Sequence, residues 1–208
     1  VLNFNTWAND NEWIYAAFSR ENHLAKLASV YIRDLHKFGP AFYSEQEIAT
    51  YDAEARVLRA FANYNMIDLF GRGPWIDENS PTGAVPPTYD RRQLFDATVA
   101  DLVAHVDNML PAAQQEYGRL SREAGYMLLA KLYLNAEVYT GTAMWQECAD
   151  ALKHVVETGL ELAPEYKYLF CRSNDKYVGN GEIIWGVPLR IGYTEGYGAT
   201  TYLTAGAW

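Results

Sequence analysis

The chain has 208 residues, half of them apolar, which is enough to bury a sizeable core in one compact unit and makes disorder the wrong default. Its 26 acidic and 17 basic side chains give a formal charge of −9, and Arg91-Arg92 is the only adjacent basic pair. Such an acidic field repels phosphate backbones and anionic lipid, which argues against nucleic acid or a membrane surface as partner.

Taken in chain order, residues 13–38 predict one long helix or a broken pair, with Ala17, Leu24, Leu27, Tyr31 and Leu35 on a stripe and Gly39-Pro40 as the stop. Residues 52–70 predict a second helix. Leu58, Phe61, Ala62, Met66 and Leu69 share its apolar face, and Gly71 supplies the exit. Asn65 sits within that face and reads as a satisfied core amide. Glu54, Arg56 and Arg59 read as structural ion-pairing groups, either i,i+4 or between helices. The segment 71–88, rich in Gly and Pro, is too long for an ordinary connection and is expected to be a structured or functional loop.

Asp90 with Gln93 makes a capping-box pattern for the next helix, which turns Phe95, Val99, Leu102, Val106 and Met109 inward and ends at Pro111. Ser121 can cap a third helix whose body, 124–139, is apolar almost all round and so belongs in the middle of the fold. After Gly141, Thr142 is expected to cap a fourth helix with Trp145, Ala149, Leu152 and Val156 inward, ending at Gly159. The two would form an antiparallel hairpin. Beyond them, 182–187 (EIIWGV) reads as a short buried strand and 192–206 as a loop-rich stretch of Gly, Tyr and Thr.

Helix starts near 52, 88 and 121 recur at roughly the period of helical-hairpin repeats. The expected fold is therefore mainly α: tetratricopeptide-like stacked helical hairpins over about 12–160, with a loop-rich carboxyl-terminal part and short strands over about 161–208. One region is expected to span 1–208. No apolar run approaches the roughly 18–20 residues of a membrane helix, since even 126–134 is broken by Lys131. The opening at Val1, without a basic and apolar leader, fits a processed or truncated chain equally.

Chemistry-bearing patterns are few. Cys148 and Cys171 lack metal or redox spacing and are expected to be free, largely buried thiols. His23, His36, His105 and His154 lack the short spacing of a metal site and are expected at helix surfaces or ends. There is no nucleophile elbow, phosphate loop or dinucleotide fingerprint, so no cofactor or metal is expected. Carboxylates such as Asp77, Glu78 and Glu182 could serve a glycosidase only at a fixed separation that sequence does not encode.

Three stretches, in order and at matching spacing, resemble the SusD/RagB family. They are 54–75 (EARVLRAFANYNMIDLFGRGPW), 122–141 (REAGYMLLAKLYLNAEVYTG), and 162–187 with Tyr166, Leu169-Phe170 and EIIWGV. Asn22 and Asp101-Leu102 fall at positions common in that family. Family members are longer, so the resemblance implies a central fragment lacking a lipid-anchored amino terminus and a carboxyl-terminal region. It further implies a tetratricopeptide-like scaffold on the outer face of the outer membrane. Its role there would be non-enzymatic capture of oligosaccharide or polysaccharide over a TonB-dependent transporter.

Sugar recognition needs a flat apolar platform for the C–H face of a pyranose and amide or carboxylate groups for its hydroxyls. Aromatics make up 14% of the chain, and residues 3–13 bring Trp7 and Trp13 close to Asn5, Asn9, Asp10 and Asn11. The family often carries a Trp and an Asn just before the position of Asn22. Trp7 with Asn9 or Asn11 is therefore the candidate glycan contact, against the alternative of a Trp that anchors a loop. Tyr193, Tyr197 and Tyr202, among glycines, form a second candidate group against that of an ordinary surface loop. Trp75 is expected to be a core residue rather than a site residue. Two other functions remain open: a helical-repeat module that docks protein without its own sugar, and an all-α carbohydrate-active enzyme.

Overall fold

The computed structural model describes residues 8, 10–171, 173–179, 181–188 and 192–193. The first helix, α1 (Glu12–Phe38), is a single unbroken rod of 27 residues. Asn11 caps it, its Oδ1 accepting from the backbone N–H of Trp13 (3.1 Å) and Ile14 (3.2 Å). The buried stripe is Ala25, Ala28, Ser29, Ile32 and Leu35, rotated from the expected one. Leu27 and Tyr31 are instead about half exposed. Small residues at the seam let two helix axes approach, and a Leu or Tyr there would hold them apart.

Helix α2 (Glu45–Phe70) begins well before residue 52 because Ser44 and Glu47 form a capping box that the expected boundary overlooked. It ends at Gly71, whose φ of 67° is left-handed and favours glycine. The chain then makes a hairpin. Strand β1 (Arg72–Pro74) pairs antiparallel with β2 (Thr88–Asp90), Arg72 opposite Asp90. Asp90 and Gln93 form the expected capping box of α3 (Arg91–His105), which gives way to a short 3₁₀ turn before Pro111.

The expected helix 124–139 breaks at Asn135 (φ −99°, ψ 8°) into α4 (Arg122–Leu134) and α5 (Ala136–Thr140). Helix α4 is central as expected, with Leu128, Leu129, Leu132 and Tyr133 all buried. Gly125 lies so close to Val106 that an added Cβ would sit 2.7 Å from its Cγ2. Helix α6 (Trp145–Val156) packs back on α4, but Thr142 does not cap it: the N-cap is Met144, with no side-chain hydrogen bond. Its inward residues are Cys148, Ala151 and Val155, while Trp145 and Val156 are exposed and Ala149 is too. Phasing the stripe on the bulky Trp145 misplaces it. The small thiol and methyl groups are what allow close contact, with Cys148 Sγ 3.4 Å from the Ala130 carbonyl.

Pairs α1/α2 and α4/α6 stack through α2, α3 and α4 around one core, in the expected tetratricopeptide-like manner. Their starts are not evenly spaced, so the regular period does not hold. Among the described residues the strands are confined to the 72–90 hairpin. Segment 182–187 forms a single isolated bridge, Ile183 with Val178, since no neighbouring strand offers it a ladder. It is pinned by side chains instead. The Trp185 ring meets Phe61 edge-on at 5.7 Å and its Nε1 donates to the Gly118 carbonyl at 3.3 Å. Both cysteines are free, Cys148 buried and Cys171 exposed, which corrects half of the expectation. No described helix is long and apolar enough to cross a membrane.

Candidate functional site

One turn apart on α2, Arg56 and Arg59 are almost fully buried and need partners for their guanidinium groups. Arg56 meets Asp52 on its own helix (2.6 Å), Asp101 of α3 (2.6 Å) and Glu78 of the hairpin (2.8 Å). Arg59 meets the same Glu78 (2.8 Å) and Asp101 (2.7 Å). The structural reading of Arg56 and Arg59 therefore holds, and that of Glu54 holds too, through a separate ion pair with Arg119 (2.8 Å). Burial alone would raise the Glu78 carboxyl, but hydrogen bonds from Arg59, from its own backbone and from Arg56 outweigh it and hold the group at about 2. Burial would likewise lower Arg56, and Asp52, Asp101 and Glu78 instead raise it above its ordinary value.

This network fixes the loop between β1 and β2 against the helices. Trp75 stacks flat on Tyr89 (5.7 Å, 3° between planes) beneath the Arg59 guanidinium and packs against the core, as expected for that residue. On the α1 side, Ser29 Oγ donates to the Ile76 carbonyl (3.0 Å) and Arg33 donates to Thr82 Oγ1 (3.3 Å). The loop so held forms one wall of a cleft whose other wall is α1. Its upper part, about 410 Å³, lies between Tyr15, Asn22 and His23 on the helix and Pro74, Ile76 and Pro86 on the hairpin. It continues past Lys26 into a lower part of about 300 Å³ beside Arg33 and residues 80–87.

At the mouth of this cleft the first turn of α1 puts Tyr15 (71% exposed) in water, whereas Trp13 (64% exposed), two residues earlier and so about 200° round the helix, points away from the cleft. Asn11, a predicted contact, lies one turn before Tyr15, with its carbonyl oxygen committed to the cap. Trp7, Asn9, Tyr197 and Tyr202 lie outside the described residues. Tyr193 is 79% exposed and is not among the residues lining the cleft. Sequence reading missed Tyr15, Lys26 and Arg33 as wall residues. They recur on one helical face, a signal present in the sequence but polar enough to pass for an ordinary solvated surface. Asn65 donates to Glu21 at 3.1 Å, a satisfied amide as expected. Of the histidines, His36 closes the last turn of α1 against Asp52 (2.8 Å) and His154 stacks on Tyr126 (3.9 Å). Among the described residues no group of three or more His, Cys, Asp or Glu side chains is placed to hold a metal ion.

No family model matches the chain. It is 31% identical over 155 residues to the starch-binding protein SusD of Bacteroides thetaiotaomicron, an alignment covering 74% of this chain and 28% of that protein. Among solved structures, one crystallised with a xylogluco-oligosaccharide superposes with a TM-score of 0.75 at 26% identity, over 90% of this chain and 37% of that one. A laminarin-binding SusD-like protein shares the fold at a TM-score of 0.64 and 24% identity, over 76% of this chain and 35% of that one. The chain thus spans less than two fifths of the length of each relative.

Proposed function

The chain belongs to the SusD/RagB family, and from that premise we propose that it captures glycan without cleaving it, at the aromatic and amide groups around the first turns of α1. The observation that carries this reading is Tyr15, exposed in the wall of a cleft whose far wall is locked by Glu78. Exposed rings beside a concave surface offer C–H stacking, and Asn11 and Asn22 add amides for hydroxyls. Trp7 and Asn9, immediately upstream in the sequence, are proposed as further contacts, as are Tyr193 and Tyr197 from the carboxyl-terminal part of the chain. The starch-binding relative and the structure crystallised with a xylogluco-oligosaccharide support a neutral glycan as the ligand class.

The test is retention in affinity gels containing starch, laminarin or xyloglucan. Tyr15→Ala or Trp7→Ala should weaken binding about three- to tenfold, the scale of one lost aromatic contact. The thermal melt of the Tyr15 variant should stay near that of the parent, because Tyr15 is largely in water. Unchanged retention of both variants would remove this end of α1 as the site. Incubation with the same polysaccharides should release no shorter product. We further propose that the full-length protein sits at the outer-membrane surface through a lipid anchor and passes ligand to a TonB-dependent transporter. Co-purification of such a transporter from detergent-solubilised outer membrane checks that step.

A further inference from the structure

A second concave surface lies across α1 from the cleft. At about 100° per residue, Leu24, Leu27 and Tyr31 project nearly half a turn away from Tyr15, Ser19 and Asn22, so the stripe that packs on α2 separates two grooves. The second groove, about 510 Å³, runs between α1 and α2 and is closed by Tyr43, Tyr51 and Arg119. That volume is within the range of small-ligand sites, about 300–1,000 Å³. Tyr43 meets Tyr51 edge-on (5.3 Å, 84°), and the Arg119 guanidinium lies 5.0 Å from the Tyr51 ring. Glu54 accepts from Arg119 Nε (3.0 Å) and Nη2 (2.8 Å) and from Gln115 (2.9 Å). The polar end of the groove is thus built and held from behind.

The chemistry of this lining selects among ligands. Arg119 is neutralised by Glu54, so neither an anion nor a cation finds net opposite charge there. Tyr31 and Tyr43 are each nearly half exposed, and a tyrosine pairs an apolar face with a hydroxyl that both donates and accepts. Burial, then the neighbouring Tyr43 and Glu54, push the Tyr31 hydroxyl above its ordinary range, which keeps it neutral and shows how closely these groups converge. Flat rings, hydroxyl tips and a charge-balanced fork match a neutral polyhydroxylated ring.

We propose that this groove is a second glycan subsite, in which the C–H face of a neutral pyranose lies on the Tyr31 and Tyr43 rings and its hydroxyls meet Arg119 and Glu54. The proposal rests on the glycan reading of the protein and adds a site on the opposite face of α1. Two sites on one rigid helix let a polymer engage both, so retention on polysaccharide exceeds what either site gives alone.

Calorimetry of the intact protein with malto-, laminari- and xylogluco-oligosaccharides, taken to about 10 mM so that sites as weak as about 1 mM are counted, tests this. Two sites per molecule are expected. Tyr31→Ala combined with Tyr43→Ala should leave one, and adding Tyr15→Ala should leave none; Tyr31→Phe, which keeps the ring, should weaken the groove only a fewfold. A parent with a single site, lost on Tyr15→Ala and untouched by the Tyr31 and Tyr43 changes, overturns the second subsite and leaves the proposed function standing. A single site lost with Tyr31 and Tyr43 but not with Tyr15 confirms the groove and moves the function to it. A parent that binds none of the oligosaccharides overturns both.

Discussion

Two guanidinium groups face three carboxylates where the hairpin meets α2, and the count decides what each substitution does. Glu78→Gln leaves two charges of each sign and a group that still hydrogen-bonds, so the expected loss is about 1–3 kcal/mol in chemical denaturation. Arg59→Met leaves three carboxylates, one buried and two partly buried, on one arginine and should cost more, about 3–5 kcal/mol. A reversed order would mean that the network does not carry the loop. The pH dependence has a definite sign. Glu78 is held at about 2 against an ordinary 4.5, so its contribution is complete above 4.5 and lost as pH falls from there toward 2. The gap between parent and Glu78→Gln melting temperatures should therefore narrow across that window. Arg56 and Arg59 were legible as structural groups because a charged pair inside an apolar helix must find partners. Glu78 was not, because it is 19 and 22 residues away and only the loop geometry brings it in.

Among the elements, local signals read better than rotational phase, the failed Thr142 cap and the overlooked Ser44–Glu47 box being the exceptions. The Asp90–Gln93 box, the Ser121 cap and the Gly71 and Gly141 exits are short-range hydrogen-bond and backbone patterns, and each stands where the residues place it. Asp90→Ala should cost about 1 kcal/mol and speed hydrogen exchange at the Gln93 amide, with no change in the α4/α6 pair. The inward faces of α1 and α6 were rotated, because large residues were taken to mark the seam when Ala25, Ala28, Cys148 and Ala151 do. That misplacement hid the tyrosine groove: Leu27 and Tyr31 line it because they are not buried. The same closeness predicts the effect of filling Gly125. An Ala gains about 1 kcal/mol of helix propensity, yet its Cβ would meet the short, branched Val106 side chain at 2.7 Å, and a net loss of about 1–2 kcal/mol is expected in thermal or chemical melts.

For the whole molecule, the formal charge of −9 sets how it meets its ligand. Stacking on Tyr15 or Tyr31 involves no ion release, so affinity for a neutral glycan should change less than about twofold between 50 mM and 500 mM salt. A steep salt dependence in calorimetry would point to a charged ligand instead. The stacked helical-hairpin architecture was legible from periodicity and from the resemblance to a known family. The cleft and the groove were not, since each is assembled from α1 and segments 12 or more residues away.

The way the 72–90 hairpin is fastened bears on how such a chain diversifies. Its base is held by Trp75 on Tyr89 and by Glu78 between two arginines, while its tip, around Gly83, has nothing within 4 Å of where a side chain would begin. Lengthening a surface loop costs little closure entropy, about 0.6 kcal/mol per doubling. Residues 79–85 therefore form an interchangeable cassette: replacing or extending them reshapes one wall of the cleft while the helices keep their stability. Selection for a different sugar can act on that cassette alone, with the scaffold left as a fixed chassis.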